Sequence, residues 1–517
     1  MKKSYYEVFR EDLKEFREMT EKFYRKEITV PEYKGFSGGF GSYAQRGGER
    51  SMLRLRLAGG EISQEDLEFI VKSTEKYKID MVHLTTCQTV QLHNLTKETV
   101  CDLIEEAWEH GIITRGGGGD FPRNVMCSPL SGVEQGEYFD VLPYAKEAGD
   151  YLLSFIGKVK LPRKLKVCFS NSKKNETHAT FRDLGFVAKE NQKFDVYAAG
   201  GLGNNPKFGV LVAEDVEPSK ILYCIKTMVD VFTEYGNYES RAKSRTRYLQ
   251  DTLGAEGLKK VFGEKLQKNF GQESLDIEVT GAAVAKKAGN SSFSSDILQN
   301  DRVISQKQEG LYAVSYHLAG GKASPDFLKR IFEVTKEMQD VKLRLAPDQG
   351  MYIINLTGEE GVKVLEATED GAKTAFERST ACIGADICQQ GIGLSQSLLS
   401  ACMERVRKEN FADGVLPAIH ISGCPSSCSA HQIAAIGLRG GKKPSEDGPK
   451  NAFAVYENGC EREGEEQFGK ELGVMYEEVI PEFFAELGHA VAKESLTYTK
   501  FREKYPERVE EIAKKYV

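Results

Sequence analysis

Four cysteines stand in two short segments that also carry glycine. Cys382 and Cys388 lie in "TACIGADICQQGIG" (380–393), and Cys424 and Cys428 in "HISGCPSSCSAHQ" (420–432). Thiolates are soft ligands, suited to zinc or to iron–sulfur clusters. Structural zinc knuckles pair cysteines as C-x2–4-C, so the Cys424–Cys428 spacing is tolerable and the Cys382–Cys388 spacing is wide. A C-x-x-C redox pair is absent from both segments. Gly384, Gly423 and Pro425 mark loops instead of core, unlike the apolar surroundings of Cys101, Cys224 and Cys402. An iron–sulfur cube takes four thiolates converging from loops whose glycines let backbone come close, and two such loops meet that need. The spacing follows neither common ferredoxin pattern.

The chain that must bring these loops together has 517 residues, enough for about three or four domains. Its formal charge of −7 argues against a general nucleic-acid binder. The opening "MKKSYYEVFREDLKEFREM" lacks the apolar core of a secretory signal, and no apolar run reaches membrane-spanning length. The expectation is a soluble cytoplasmic protein with no membrane partner. Eleven cysteines, an odd number, fit metal ligands or catalytic groups better than a disulfide framework.

An internal repeat organises the chain. "LAGGEISQEDLEFIVKSTEKYKIDMVHLTTCQTVQLHNLT" begins at Leu57 and "LAGGKASPDFLKRIFEVTKEMQDVKLRLAPDQGMYIINLT" at Leu318, a constant offset of 261 that holds to Thr96 and Thr357. Gly59/Gly320, Gln88/Gln349 and Asn94/Asn355 are among the identical pairs. Each copy reads strand, Gly-Gly turn, amphipathic helix capped at Ser63 in the first copy, strand, tight turn, strand. That order predicts α+β, ferredoxin-like halves. A looser repeat follows each copy: "LPRKLKVCFSNSKKNETHATFRDLGFV" from Leu161 and "LPAIHISGCPSSCSAHQIAAIGLRG" from Leu416. Both pass from strand through a polar turn to a second strand, but only the second turn holds cysteines.

"TACIGADIC" followed at this distance by "SGCPSSC" closely resembles the paired cysteine signature of siroheme-dependent sulfite and nitrite reductases, single-chain and ferredoxin-dependent. The likeness runs from "GFGSYAQRGGERSMLRLRL" to about residue 460. It implies an α+β fold with pseudo-twofold duplication, two ferredoxin-like halves plus two siroheme-binding domains. The expected divisions are an N-terminal arm 1–46, a ferredoxin-like half 47–115, a siroheme and substrate domain 116–300, a second half 301–375, a cluster domain 376–460 and a helical tail 461–517. The resemblance makes Cys382, Cys388, Cys424 and Cys428 ligands of a [4Fe–4S] cluster, with Cys428 also shared with the siroheme iron.

Siroheme carries carboxylates and the substrates are oxyanions, so the pocket needs cations. In "LPRKLKV" an extended chain puts Lys164 and Lys166 on one face and Leu165 and Val167 on the other. An isolated K-x-K is more often a solvated edge; the resemblance places both lysines in the substrate pocket and leans toward sulfite. "GGGGDFPRNVMCSP" from Gly116 matches the segment whose arginine meets the anion, pointing to Arg123, with Asn124 and Gln88 against the cofactor. "AAGGLGNN" resembles a siroheme-contacting segment, giving Gly200, Gly201 and Gly203. "ESRAKSRTRYLQDTLG" (239–254) reads as a basic helix offering Arg241, Arg245 and Arg247 to carboxylates, or to solvent. Where the family commonly has T-T-R-Q this chain has "TTCQ", so Cys87 stands at a substrate-pocket arginine's position.

No flavin or nicotinamide module is visible, which implies a ferredoxin or similar one-electron donor. The expected activity is six-electron reduction of sulfite to sulfide or nitrite to ammonia. A mainly nitrite-reducing enzyme and a non-catalytic electron-carrying siroheme protein are the alternatives.

Overall fold

The computed structural model describes residues 2–279, 286 and 298–517. Local chemistry sets its elements as the periodicity requires. The Ser51–Leu55 strand buries Leu53 and Leu55 completely. Ser63 caps the Gln64–Lys76 helix by accepting from Asp66 N, while the Asp66 carboxylate returns to the Ser63 backbone. Leu67, Ile70, Val71 and Thr74 form its buried face. The copy at Thr357 repeats the device, with Glu360 closing the capping box of the Gly358–Ala367 helix.

Four five-stranded sheets carry the α+β fold. The first orders Ser42–Ala44, Ser51–Leu55, Val90–Leu95, Val82–Leu84 and, at its edge, Lys322–Ala323 from the second half. The third orders Val303–Ser305, Tyr312–His317, Gly350–Leu356, Lys342–Leu345 and Glu61–Ile62 from the first half. The halves thus trade edge strands, and the trade is reciprocal in register. Lys322 and Ala323 pair with His83 and Val82, while Glu61 and Ile62 pair with Arg344 and Leu343. A shared apolar core, including Leu53, Leu92, Leu343 and Ile353, seals the two sheets together.

The repeated glutamines complete this clamp. Gln88 Nε2 donates to Leu345 O (2.6 Å) and Cys127 O (2.8 Å), and its Oε1 accepts from Cys127 N (2.9 Å). Gln349 Nε2 donates to Leu84 O (3.1 Å) and Ala381 O (2.9 Å), and its Oε1 accepts from Ala381 N (2.8 Å). Each amide therefore ties a turn to the opposite half and to the first strand of the following domain. Gln88 was expected against the cofactor; its amide is instead fully buried and spent on backbone.

The second sheet runs Met126–Cys127, Val167–Ser170 and Leu184–Ala188 in parallel, then Phe194–Ala198 and Val210–Val216 antiparallel. The fourth repeats the pattern with Thr380–Ala381, Ile419–Ser422 and Ile436–Lys443, then Lys450–Glu457 and Lys470–Tyr476. The strand Lys470–Tyr476 corrects the expectation of a wholly helical tail. A 3-10 turn, Glu477–Val479, and the helices Ile480–Lys493, Tyr498–Lys504 and Arg508–Ala513 follow, and the helices sink Phe483, Phe484 and Val509 into the core of the fourth sheet's domain. The N-terminal arm is largely the Lys2–Tyr24 helix, which buries Phe9, Leu13 and Phe16 against the first half.

The segment 239–254 is not one helix. Two single 3-10 turns, Arg241–Lys243 and Thr246–Tyr248, precede a helix that starts at Leu249, and Arg245 between them is extended (φ −76°, ψ 152°). Arg245 and Thr246 both reach the buried Asp183 carboxylate, which draws the chain out of helical geometry. Among the described residues, no helix is long and apolar enough to cross a membrane.

Replacing Gln88 or Gln349 by Leu strands buried backbone groups and costs about 1–3 kcal/mol each. The thermal midpoint of each purified variant falls accordingly; unchanged midpoints in both would show the clamp to be dispensable.

Candidate active site

The residues before the Val167–Ser170 strand set the cationic wall. Leu165 and Val167 are buried, so alternation turns Lys164 and Lys166 the other way. The regular strand begins only at Val167, but a parallel bridge from Leu165 to Pro122 keeps the lysines extended. Both face a cleft whose lining also includes Arg182, Arg245 and, from the other half, Cys428.

Asp183 anchors this wall. Its carboxylate accepts from Lys166 N (2.8 Å), from Arg245 Nη2 (3.0 Å) and from Thr246 Oγ1. That leaves Arg245 neutralised and Lys164 with no hydrogen-bonding or ion-pair partner among the described residues. Burial, then Arg245, Lys166 and Arg123, hold the Lys164 ammonium well below its usual range. The cations of this end crowd one another, and a half-buried crowd of like charges favours an anion.

Cys87 sits inside that crowd, 3.2 Å from Lys166 Nζ. Burial would raise its thiol, but Lys166, Arg182 and Arg123 bring it down to about 6. At neutral pH Cys87 is therefore a thiolate beside Lys166. Asn124 holds the turn that presents it: Nδ2 donates to Cys87 O (3.0 Å) and Gln88 O (3.2 Å), while Oδ1 accepts from Leu57 N (3.0 Å). Asn124 thus positions Cys87 through backbone. Arg123 stands behind the wall, donating to Gly117 O (2.5 Å), with burial and Arg54 lowering it to about 10.

The glycine segment divides. Gly201 (φ 155°) reaches the cleft, and Gly203 (φ 104°) lies where an added Cβ would stand 3.4 Å from Pro425 O. Gly203 N donates to Gln432 Oε1 (2.7 Å), tying this loop to the Cys428 domain. Gly200 serves packing, since a Cβ there would stand 2.6 Å from the Phe181 backbone. Arg241 is exposed and pairs with Asp120 (2.6 Å), away from the cleft lining.

The cysteine loops converge as the sequence asks. Ile392 N and Gly393 N both donate to Gly423 O (2.9 and 2.8 Å), laying the Cys388 loop on the Cys424–Cys428 loop. Gly423 N donates to Cys382 Sγ (3.1 Å), and Ser395 Oγ lies 3.3 Å from it. Gly384 makes this possible: its φ is +74°, and a Cβ would meet Ser395 Oγ at 2.8 Å. Cys428 opens to the cleft while Thr86 Oγ1 holds its carbonyl (2.7 Å). Burial and the neighbouring Cys382 push its thiol up to about 12. Arg46 braces the Cys388 loop through Cys388 O (3.1 Å) and Gly391 O (2.9 Å).

Other residues of this cleft gave no sequence signal. Arg182 lines it between Lys166 and His178, and Glu176, Asp348 and Glu461 gather farther along. There burial, with Glu134, Glu461 and Asp348, raises the Glu176 carboxyl to about 8. The cleft is polarised, cations beside Cys428 and Cys87, acids opposite.

Two family descriptions match. The nitrite/sulfite reductase ferredoxin-like half domain fits residues 43–109 and 304–370, and the nitrite and sulphite reductase 4Fe-4S domain fits 118–270. Together they span more than half of the chain, which belongs to the nitrite and sulfite reductase family. Among its relatives, the chloroplastic ferredoxin–nitrite reductase of Spinacia oleracea is 24% identical over 449 residues, 84% of this chain and 73% of that one. Sulfite reductase [ferredoxin] 1 of Mycolicibacterium paratuberculosis is 24% identical over 438 residues, 81% of this chain and 75% of its own. The solved Mycobacterium tuberculosis NirA protein shares the fold, with TM-score 0.74, 22% identity, and 90% and 89% of the two chains covered.

Membership implies a [4Fe–4S] cluster and siroheme. The four cysteines lie outside the matched segments, so their case rests on chemistry here. A cube offers one iron to each of four thiolates, and Cys382, Cys424 and Cys428 lie close enough to act on one another's charge. Four soft donors on two facing loops fit that group. Buried atoms without protein partners fit the macrocycle's carboxylates and edges: Arg245 Nε, Arg247 Nη1, Ser427 Oγ and Ser429 Oγ.

Thiolate absorbance that disappears in Cys87→Ser titrates near pH 6, and Lys166→Met moves that inflection upward. A Cys87-dependent inflection in the ordinary thiol range, near about 8.5, would contradict the arrangement.

Proposed function

We propose that this protein is a siroheme-dependent reductase that converts sulfite to sulfide or nitrite to ammonia with electrons from a ferredoxin-type donor, and that sulfite is preferred. The observation that carries this reading is the cationic end of the cleft, where Lys164 has no protein anion and Cys428 faces the same space. Relatives named ferredoxin–nitrite reductase and sulfite reductase [ferredoxin] support the reaction class. The second lysine, Lys166, supports the lean to sulfite.

In this reading Cys382, Cys388, Cys424 and Cys428 would hold the cluster, and Cys428, open to the cleft, would also serve the siroheme. When bound, the pair supplies electrons singly to the anion. The chain's own residues do the rest. Lys164 and Lys166 receive the oxyanion and offset its charge through charge-assisted hydrogen bonds. Every oxygen removed leaves as water, so protons must arrive with electrons. Lys166 Nζ and Cys87 Sγ, 3.2 Å apart, hold one proton between them beside the anion's place. Glu176, with its carboxyl near 8, stores another at the opposite end. Asp183 fixes the lysine strand without entering the chemistry, since its oxygens are already taken by Lys166 N, Arg245 and Thr246.

The deciding experiment compares kcat/KM for sulfite and nitrite in one anaerobic, cofactor-replete preparation reduced by ferredoxin or methyl viologen. Turnover of neither anion overturns the reading, and a higher kcat/KM for nitrite overturns the preference. Because Lys164 must be protonated to meet an anion, binding takes up protons and weakens as pH rises. Calorimetry in buffers of different ionisation enthalpy detects that uptake. Lys164→Met abolishes the uptake and raises KM about tenfold or more, the worth of a lost charged hydrogen bond of about 1.5–3 kcal/mol.

A further inference from the structure

The wall beside Cys87 contains a guanidinium that the proposed reaction has not employed. Arg182 lines the cleft, and its charge acts on both Cys87 and Lys166. Its Nε donates to Thr177 O (2.9 Å) and one Nη to His178 Nδ1 (3.3 Å). The guanidinium has no carboxylate partner among the described residues, and its remaining N–H groups have no protein acceptor there. A half-buried guanidinium, fixed on one side and uncommitted on the other, is built to take a planar or pyramidal oxyanion.

What fixes it is equally specific. His178 Nδ1 accepts from Arg182, so Nε2 carries the proton and donates to Glu461 Oε2 at 2.7 Å. The imidazole is 8% exposed and stacks on Phe181 with centroids 4.9 Å apart. Burial keeps it neutral, with Arg182 adding to that effect, while Glu461 opposes it. Glu461 comes from the other half of the chain, and its carbonyl is held by Asn175 Nδ2 (2.7 Å). Glu461, His178 and Arg182 thus form a chain across the domain boundary that ends at the anion's side of the cleft.

We propose that Arg182 grips the substrate oxyanion next to Lys166, supplying the cation that Cys87 does not, and that His178 and Glu461 are the positioning residues that aim it. This rests on the reading that the cleft takes sulfite or nitrite.

The test uses the anaerobically purified holoprotein, titrated calorimetrically with sulfite and separately with nitrite, alongside KM and kcat with reduced methyl viologen. Arg182→Gln raises Kd and KM about tenfold or more, with a smaller change in kcat, and Arg182→Lys falls between it and wild type. Adding Cys87→Arg to Arg182→Gln restores most of the affinity, because the guanidinium returns to the same wall from the neighbouring turn. His178→Gln and Glu461→Gln raise KM less than Arg182→Gln does. If those two variants lower the melting temperature and leave KM unchanged, the positioning role is overturned. If Arg182→Gln, or Arg182→Lys where the former does not accumulate with cofactors, keeps wild-type Kd for both anions, the grip is overturned. Wild-type protein that binds neither anion overturns the reductase reading itself, and the grip with it.

Discussion

Like charges gathered along one half-buried wall are the constraint on which this molecule depends. Asp183 can satisfy Arg245 and the Lys166 backbone, but not Lys164, Lys166, Arg182 and Arg247 as well. The protein tolerates this because the wall is assembled by apolar burial of Leu165 and Val167 on its reverse side, which leaves the lysines no other direction. Hydrophobic packing thereby sustains an electrostatic arrangement that would otherwise relax. The balance is left for anions to complete, and the site's selectivity for negative charge follows from what the fold withholds.

Duplication explains how such a wall came to face a set of thiols. In both mixed sheets a residue in the left-handed region precedes a 3-10 turn: His178 (φ 62°) before Ala179–Phe181, and Ala430 (φ 55°) before His431–Ile433. Aligned on these residues, Glu176 corresponds to Cys428. One copy of the turn carries acid, imidazole and guanidinium, the other carries thiols, and the pseudo-twofold relation brings both to one cleft. The same backbone geometry has been filled with complementary chemistry.

Much of this was legible in the sequence. The offset of 261 announced two halves, the glycine-bearing cysteine segments announced a cluster-type donor set, and alternation in "LPRKLKV" placed both lysines. Local rules fail where a distant partner wins. The basic stretch after Glu239 has helical propensity, but Asp183, more than fifty residues earlier in the chain, pulls Arg245 out of it. Gln88 fits the glutamine of the family's T-T-R-Q pattern, whereas a positive φ of 52° swings its side chain into the seam between halves. Arg182 carried no signal at all: a single arginine before a strand is ordinary, and only the meeting with His178 and Glu461 gives it direction. The strand Lys470–Tyr476 was hidden because an edge strand with one partner shows weak alternation.

The traded edge strands have a mechanical meaning. Because Glu61–Ile62 completes one sheet and Lys322–Ala323 the other, parting the halves would break two hydrogen-bonded ladders at once. Any motion that parts the halves must therefore break both ladders together, and the glutamine ties from Gln88 and Gln349 carry that linkage on to the first strands of the two mixed sheets.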